Sequence, residues 1–388
     1  MGYVHDLVNK ANPVNIARSY GSSLEREMAE ALRGIFSPVQ WLKSWTVETL
    51  SEATRDQGWD LRASWPVAGG RKAVLYVECK RNFQPNQFSL LAKRFPRELG
   101  HNKAATRALA MPRVSDRMAA ICKENGWSWF DASGNCRLDI PGLLYIERLG
   151  LSSSRRVVEV AGANLSTPEA ARVIRALLAP ESAGRRWTQR AMVEHFARLT
   201  PRIPPPSLAL VNKVIQHLRN EAFVQPAPNR GFYLRDPEGL LQEWRQAYRF
   251  GRHMRRRYFT LLKGHSIDDN LRRLNPNGQR GIAYAAFSAA DVQAPNVRQG
   301  RTWLFVDADL EAEFAEAVDA KIVDSGENLV VLIPDDPGVF YRMEVVKGRL
   351  AATNPVQTYV DLAHVGGRGL EAAESVHQQR LRSAWSGS

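Results

Sequence analysis

The chain has 388 residues, with 53 Lys and Arg against 40 Asp and Glu, a formal net charge of +13. Its 44% hydrophobic and 24% charged content is that of a folded globular protein and excludes a disordered or collagen-like chain. The length calls for roughly two or three domains, and the positive excess points to a polyanionic partner, nucleic acid foremost.

No apolar run approaches the ~18 residues that would cross a bilayer. The polar stretch from Met1 to Ser23 lacks the apolar core of a signal peptide. Cys79, Cys122 and Cys136 follow neither CxxC nor Cys/His spacing, so no disulfide framework or zinc site is expected. These features together predict a reduced, cytoplasmic protein with no membrane partner.

The first block, residues 1–150, alternates helix and strand. Leu24, Met28, Ala31, Leu32 and Ile35 share one face of a helix over 22–35. Residues 60–66 and 72–81 read as strands joined by a turn at Gly69-Gly70, and 104–111 as a third. Ser115 caps a helix that ends at Gly126, after which 127–131 and 142–149 return to strand. The order predicts a mixed α/β sheet domain. An exposed link is expected over Ser152 to Arg156.

The second block, 160–238, reads helix, helix, helix, hairpin. Ser166 or Thr167 caps a helix with Pro168 at its first position, running to Leu178. Thr188 caps the next helix. The Pro204-Pro205-Pro206 run halts the chain and launches a third helix from Ser207 to Asn220. Strands at 223–225 and 232–234 enclose a turn. Val173, Leu177, Met192, Val193, Phe196, Val211, Ile215, Leu218 and Phe223 are placed to fill a small core. This is the order of a winged helix-turn-helix, whose third helix enters the major groove. Ser207, Asn212, Lys213, Gln216 and His217 are expected on its exposed face, with Arg230 at the wing tip and Arg185 and Arg186 at backbone phosphates. A protein-interaction module with a solvated polar face is the competing reading.

The third block, 240–388, opens on a basic aromatic stretch with Arg252, Arg255 and Arg256, read as a DNA-contacting stripe or a solvated helix face. Strands at 302–306 and 329–333 with a helix over 310–322 between them predict an α/β domain. Asp307 and Asp309 have the spacing of nucleotidyltransferase aspartates, but no Gly-Ser motif precedes them.

In the first block Asp60 opens one strand, and Glu78-Cys79-Lys80 closes the next. Two adjacent strands would bring both carboxylates to one edge as oxygen ligands for Mg²⁺ or Mn²⁺. Period-two alternation puts Lys80 on the face of Glu78, where its ammonium could orient water or oppose charge on phosphate. Glu27 or Glu25 would add a carboxylate, and Gln84 and Gln87 would order the chain after the strand. The pattern resembles the PD-(D/E)xK restriction-endonuclease fold, with Trp59 where its proline stands. A retained scaffold or a solvated Glu–Lys pair would leave the same sequence.

Four segments carry a resemblance across most of the chain: VECKRN (77–82), WSWFDASGNCRL (127–138), LLQEWRQAY (240–248) and NPVQTYVDLAHVGGRGLEAAE (354–374). They resemble the AbiEi-like antitoxins and regulators of type IV toxin–antitoxin systems, in a variant with an endonuclease-like N-terminal domain. The resemblance implies prokaryotic origin, double-stranded DNA binding and transcriptional control, with a neighbouring-gene protein as a further partner. A palindromic site would call for a homodimer. The better-known antitoxins carry the winged domain at the N-terminus, which this chain does not. The alternative reading is a metal-dependent endonuclease using Asp60, Glu78 and Lys80.

Overall fold

The computed structural model describes residues 13–42, 44–49, 59–67, 71–94, 104–151, 163–199, 202–275, 280–345 and 348–386. The expected Gly69-Gly70 turn and the 152–156 link lie outside these residues. The protein is a mixed α/β chain of two compact units, Met1–Val160 and Ala161–Ser388.

The first unit is built on a seven-stranded sheet in sequential order: β1 (Thr46–Thr49), β2 (Leu61–Pro66), β3 (Lys72–Cys79), β4 (Ala105–Met111), β5 (Ser128–Asp131), β6 (Cys136–Ile140) and β7 (Leu144–Arg148). β3, β4 and β5 run parallel, and antiparallel pairs flank them on both sides. Helix α1 (Pro13–Phe36) sends Met28, Leu32 and Phe36 into the core shared with Leu61, Leu75 and Val77. α2 (Phe88–Arg94) lies between β3 and β4, and α3 (Asp116–Glu124) between β4 and β5. The Ser115 hydroxyl accepts the Met118 amide at 3.2 Å, the expected cap of α3. β1 and β6 were not expected from the sequence.

The second unit opens with α4 (Pro168–Leu178), α5 (Gln189–Ala197) and α6 (Leu208–Asn220). Thr167, Thr188 and Ser207 accept the amides of Ala170, Ala191 and Leu210. Eight of the nine expected core residues are buried here, and Val193 is partly so. β8 (Val224–Pro226) and β9 (Phe232–Leu234) form a hairpin. Trp187 exchanges both backbone hydrogen bonds with Phe232, at 2.7 and 2.8 Å, adding a one-residue third strand. α7 (Pro237–Ala247), capped by Asp236, leads on.

A second sheet follows, in the order β11 (Ile282–Tyr284), β12 (Thr302–Val306), β14 (Leu329–Ile333), β10 (Met254–Phe259), β13 (Lys321–Ile322). β12 and β14 are parallel, while β14 and β10 are antiparallel. α8 (His265–Leu274), α9 (Ala286–Gln293) and α10 (Glu311–Ala317) pack with this sheet, and α11 (Pro355–Val365) and α12 (Gly369–Val376) follow it. A single hydrophobic cluster runs from Leu165 through Trp244 and Phe305 to Leu381, so helices, hairpin and second sheet share one core.

Two expectations fail here. The basic stretch is a helix nowhere beyond the short turn Phe250–Arg252, which holds Arg252; Arg255, Arg256 and Arg257 lie on β10, paired residue for residue with β14. The helix expected over 310–322 stops at Ala317, because Asp319 takes a left-handed φ of 43° and the chain re-enters the sheet at Lys321.

Candidate nucleic-acid interface

Helix α6 buries Val211, Val214, Ile215 and Leu218, which turns the opposite side outward. Ser207, Asn212, Lys213 and Gln216 are exposed on it. His217 is half-buried rather than exposed, and burial pushes its pKa below the ordinary value. Gln189 on α5 donates to Asn212 Oδ1 at 2.8 Å, fixing the amide of one outward side chain from the neighbouring helix.

The hairpin turn places Asn229 and Arg230 at φ of 58° and 71°, with Arg230 exposed at its tip. Gly231 follows at φ 101°, and a Cβ there would lie 2.4 Å from the Trp187 carbonyl oxygen. Only glycine lets the hairpin close on that short strand. Arg186 and Arg185 are exposed beside it, the Arg185 guanidinium stacking 3.8 Å from the Trp187 ring centroid. The side chains expected on α6, at the hairpin tip and ahead of α5 thus come from one shared core of short helices and hairpin.

The loop that launches α6 is held by ionic chemistry that sequence reasoning missed. Arg172 on α4 donates from Nε to both Asp336 oxygens at 3.2 and 3.0 Å, and from Nη1 to the Pro204 carbonyl at 3.0 Å. Arg202, in the same proline-rich loop, pairs with Asp307 and reaches Asp309 at 3.7 Å. Asp307 and Asp336 follow the C-terminal ends of the neighbouring parallel strands β12 and β14. The two aspartates with nucleotidyltransferase spacing are therefore anchors for the loop that launches α6.

Deeper in the unit, Arg175 donates to Gln357 at 2.6 Å, and Gln357 donates to both Tyr248 and Asp361 at 2.8 Å. Tyr248 donates to Asp361 at 2.7 Å and contacts His253 Nε2 at 2.7 Å. Burial drives the Asp361 carboxyl up to about 7 and the His253 imidazole down to about 4. The segment 354–374 is mostly two helices, α11 largely buried and α12 buried on one face. Gly369 on α12 packs against the Leu362 carbonyl of α11 so closely that a Cβ would sit 2.2 Å from it.

Arg252, in the turn before β10, and Arg255 and Arg256 on β10 are exposed but engaged. Arg252 donates to the Ser166 carbonyl at 2.7 Å, and Arg255 lies over the Trp303 ring at 4.9 Å. Arg256 approaches Glu311 at 3.4 Å. None of the three lies on a helical stripe.

In the first unit, Asp60 Oδ2 accepts the Cys79 amide at 2.7 Å, tying the start of β2 to the end of β3. Glu78 is ion-paired with Lys80. Burial, then the nearby Asp60 charge, raises the Glu78 pKa, with Lys80 opposing. The Cys79 thiol is pushed up by burial and then by the charges of Asp60, Glu25 and Glu78. Glu27, on the same helix, is half-buried. Gln84 and Gln87 bond to each other across a short turn. Asp60 and Glu78 offer hard oxygen donors suited to Mg²⁺ or Mn²⁺. Among the described residues no group of three or more His, Cys, Asp or Glu gathers for a metal, so water and phosphate oxygens would have to complete the shell.

The DASGN loop has a structural explanation. Asp131 is buried, and its carboxylate accepts the amides of Ser133 and Asn135 at 2.9 and 3.0 Å, closing the β5–β6 turn. Asn135 then ties down Leu151 through two backbone bonds. All three cysteines are free and buried. Among the described residues no helix is long and apolar enough to cross a membrane.

The second unit therefore joins a polar helix and basic hairpin to an α/β sheet on one core. Residues 233–382 match a family model described as transcriptional regulator, AbiEi antitoxin, type IV TA system. The match begins inside β9 and takes in the second sheet with α7 to α12, leaving α4 to α6 outside it. No curated protein and no solved structure matches the chain significantly.

Proposed function

We propose that this protein is a sequence-specific double-stranded DNA-binding regulator of the antitoxin type, reading its site with α6 in a winged helix-turn-helix. The observation that carries the reading is the outward face of α6, with Asn212, Lys213 and Gln216 exposed beside a hairpin tipped by Arg230. A helix in the major groove reads base edges through amide and ammonium groups of this kind, while flanking arginines hold phosphates. The net charge of +13 and the family match over 233–382 support the same reading. A protein of this antitoxin type would have a toxin as its protein partner, and a palindromic site would be bound by a homodimer.

Selection from a random duplex pool followed by footprinting tests it. One sequence should be enriched, and log K should fall with log salt at about −0.9 per phosphate neutralised. Failure to enrich any sequence would remove the regulator reading.

A second reading has its own observation: Asp60 bonds the Cys79 amide at the end of β3, next in sequence to Glu78 with its ion-paired Lys80. In a PD-(D/E)xK-like nuclease, these carboxylates would hold Mg²⁺ or Mn²⁺, which supplies Lewis acidity when bound. Lys80 would oppose charge developing on phosphate. The first unit would then cut, or would serve the regulator as a scaffold.

A further inference from the structure

The second unit contains a cavity of about 400 Å³ that the DNA-reading surface does not use. Its size falls in the range of roughly 300–1,000 Å³ typical of small-molecule sites. It lies among the start of α8, β11, α9 and the loop that enters β12. We propose that it binds a small phosphomonoester with a hydroxyl-bearing body, a sugar phosphate or a nucleotide.

The rim supplies the anion partners. Arg298 and Arg301 flank Gly300 and are both exposed. Arg298 has no hydrogen bond or ion pair among the described residues, and Arg301 only approaches Glu327 at 3.4 Å. Two guanidinium forks on one loop match the several oxygens of a phosphate dianion, and glycine between them leaves the backbone open to it.

The floor is a built polar network. Arg349 lies 3.3 Å from Asp291 and 3.8 Å from Asp268, and 5.3 Å from the Tyr284 ring centroid. Asp268 is buried, accepting from the Tyr284 hydroxyl and, at 3.2 Å, from the Leu350 amide. An apolar ligand would strip water from Arg349 and Asp291 and return nothing. Ser288 accepts the Trp303 amide at 2.8 Å, which leaves its hydroxyl proton to donate. Ser288 and Asp291, one donor and one acceptor, suit the adjacent hydroxyls of a sugar.

Calorimetric titration of the full chain with inorganic phosphate, ribose 5-phosphate and AMP tests the assignment without reference to DNA reading. At least one sugar-bearing probe should bind about tenfold or more tightly than inorganic phosphate. The Arg298→Ala/Arg301→Ala variant should lose that binding while unfolding at the wild-type temperature, since both side chains are exposed. Asp291→Asn should erase the preference for ribose 5-phosphate over phosphate. A gain of AMP over ribose 5-phosphate would name the nucleotide, and equality would name the sugar phosphate. The proposal falls if no probe binds at millimolar concentration, if phosphate alone binds as tightly, or if the double variant binds as wild type does. Should the wild type bind none of them while the double variant loses affinity for duplex DNA, the loop is a DNA backbone contact instead.

Discussion

Arg172 and Asp336 are 164 residues apart in sequence yet form a buried, two-pronged ion pair, with Nε 3.0 Å from Oδ2. Because Arg172 also grips the Pro204 carbonyl, the pair links three things: α4, the loop that starts α6, and the chain just after β14. A buried charge left without its partner is costly, whereas replacing both partners with apolar groups is often neutral. Arg172→Ala should therefore lower the stability of the second unit by about 3–5 kcal/mol in urea unfolding. Asp336 also lies 4.0 Å from the buried Arg175 and accepts the Gly338 amide at 2.8 Å, so Asp336→Leu should cost at least as much as Arg172→Ala. A single variant within about 1 kcal/mol of wild type would mean that the pair holds nothing in place.

The recognition helix makes a separate prediction. Lys213 and Gln216 are exposed and take no part in the core, so Lys213→Ala/Gln216→Ala should leave unfolding unchanged. Specific affinity should drop by about 1–3 kcal/mol for each base pair no longer read. Non-specific affinity at low salt should fall much less. A footprint identical to wild type in the double variant would move recognition off α6.

Local signals carried much of this architecture into the sequence. Thr188 caps the helix it was expected to cap, and Thr167, one of two candidates, caps α4, because a cap is a contact between near neighbours; Ser207, read as the first residue of its helix, is its cap. The basic stretch before Tyr258 misled, since four arginines within a few residues show no period that separates helix from strand. It became a strand because β14, some 75 residues later, is an all-buried apolar run needing an antiparallel partner. Asp336, Asp307 and Asp361 were illegible for the same reason. Each derives its role from a residue more than 100 positions away, and no spacing rule reaches that far. The Asp60, Glu78 and Lys80 corner was legible because adjacent strands set it, though Asp60's bond to the Cys79 amide was not.

The nuclease reading predicts nicking of supercoiled plasmid by the wild type with Mg²⁺ or Mn²⁺. Lys80→Ala would cut that rate by roughly 100-fold or more, the usual loss when a charge-stabilising donor is removed. Glu78→Gln should abolish it, and DNA affinity through the second unit should survive in both. No nicking by wild type on any plasmid carrying its selected site would leave the first unit a scaffold. In that case Glu78→Gln, which removes a buried charge that Asp60 disfavours, should if anything stabilise the protein.

Asp361 sets the sign of a pH effect. Its carboxyl is raised to about 7 in the folded chain, chiefly by burial, while an unfolded aspartate titrates near ~3.9. Between those values the native state binds the extra proton, so this group's contribution to stability is full below the unfolded pKa. It is lost as pH rises through about 7. His253 and His195, both lowered to about 4 by burial first, act in the opposite direction. Their contribution is present above the ordinary imidazole pKa and is lost as pH falls toward about 4. Urea unfolding at a series of pH values would separate them through differences between variants. Asp361→Asn should gain stability relative to wild type from pH 5 to pH 8 and keep the acid-side loss, since its amide cannot ionise. His195→Gln, with Tyr341 still within reach at 2.8 Å in the wild-type geometry, should flatten the acid side alone. If the Asp361→Asn difference were flat across that range, the carboxyl would be ionised throughout, and Gln357 and Tyr248 would be holding a charge rather than a proton.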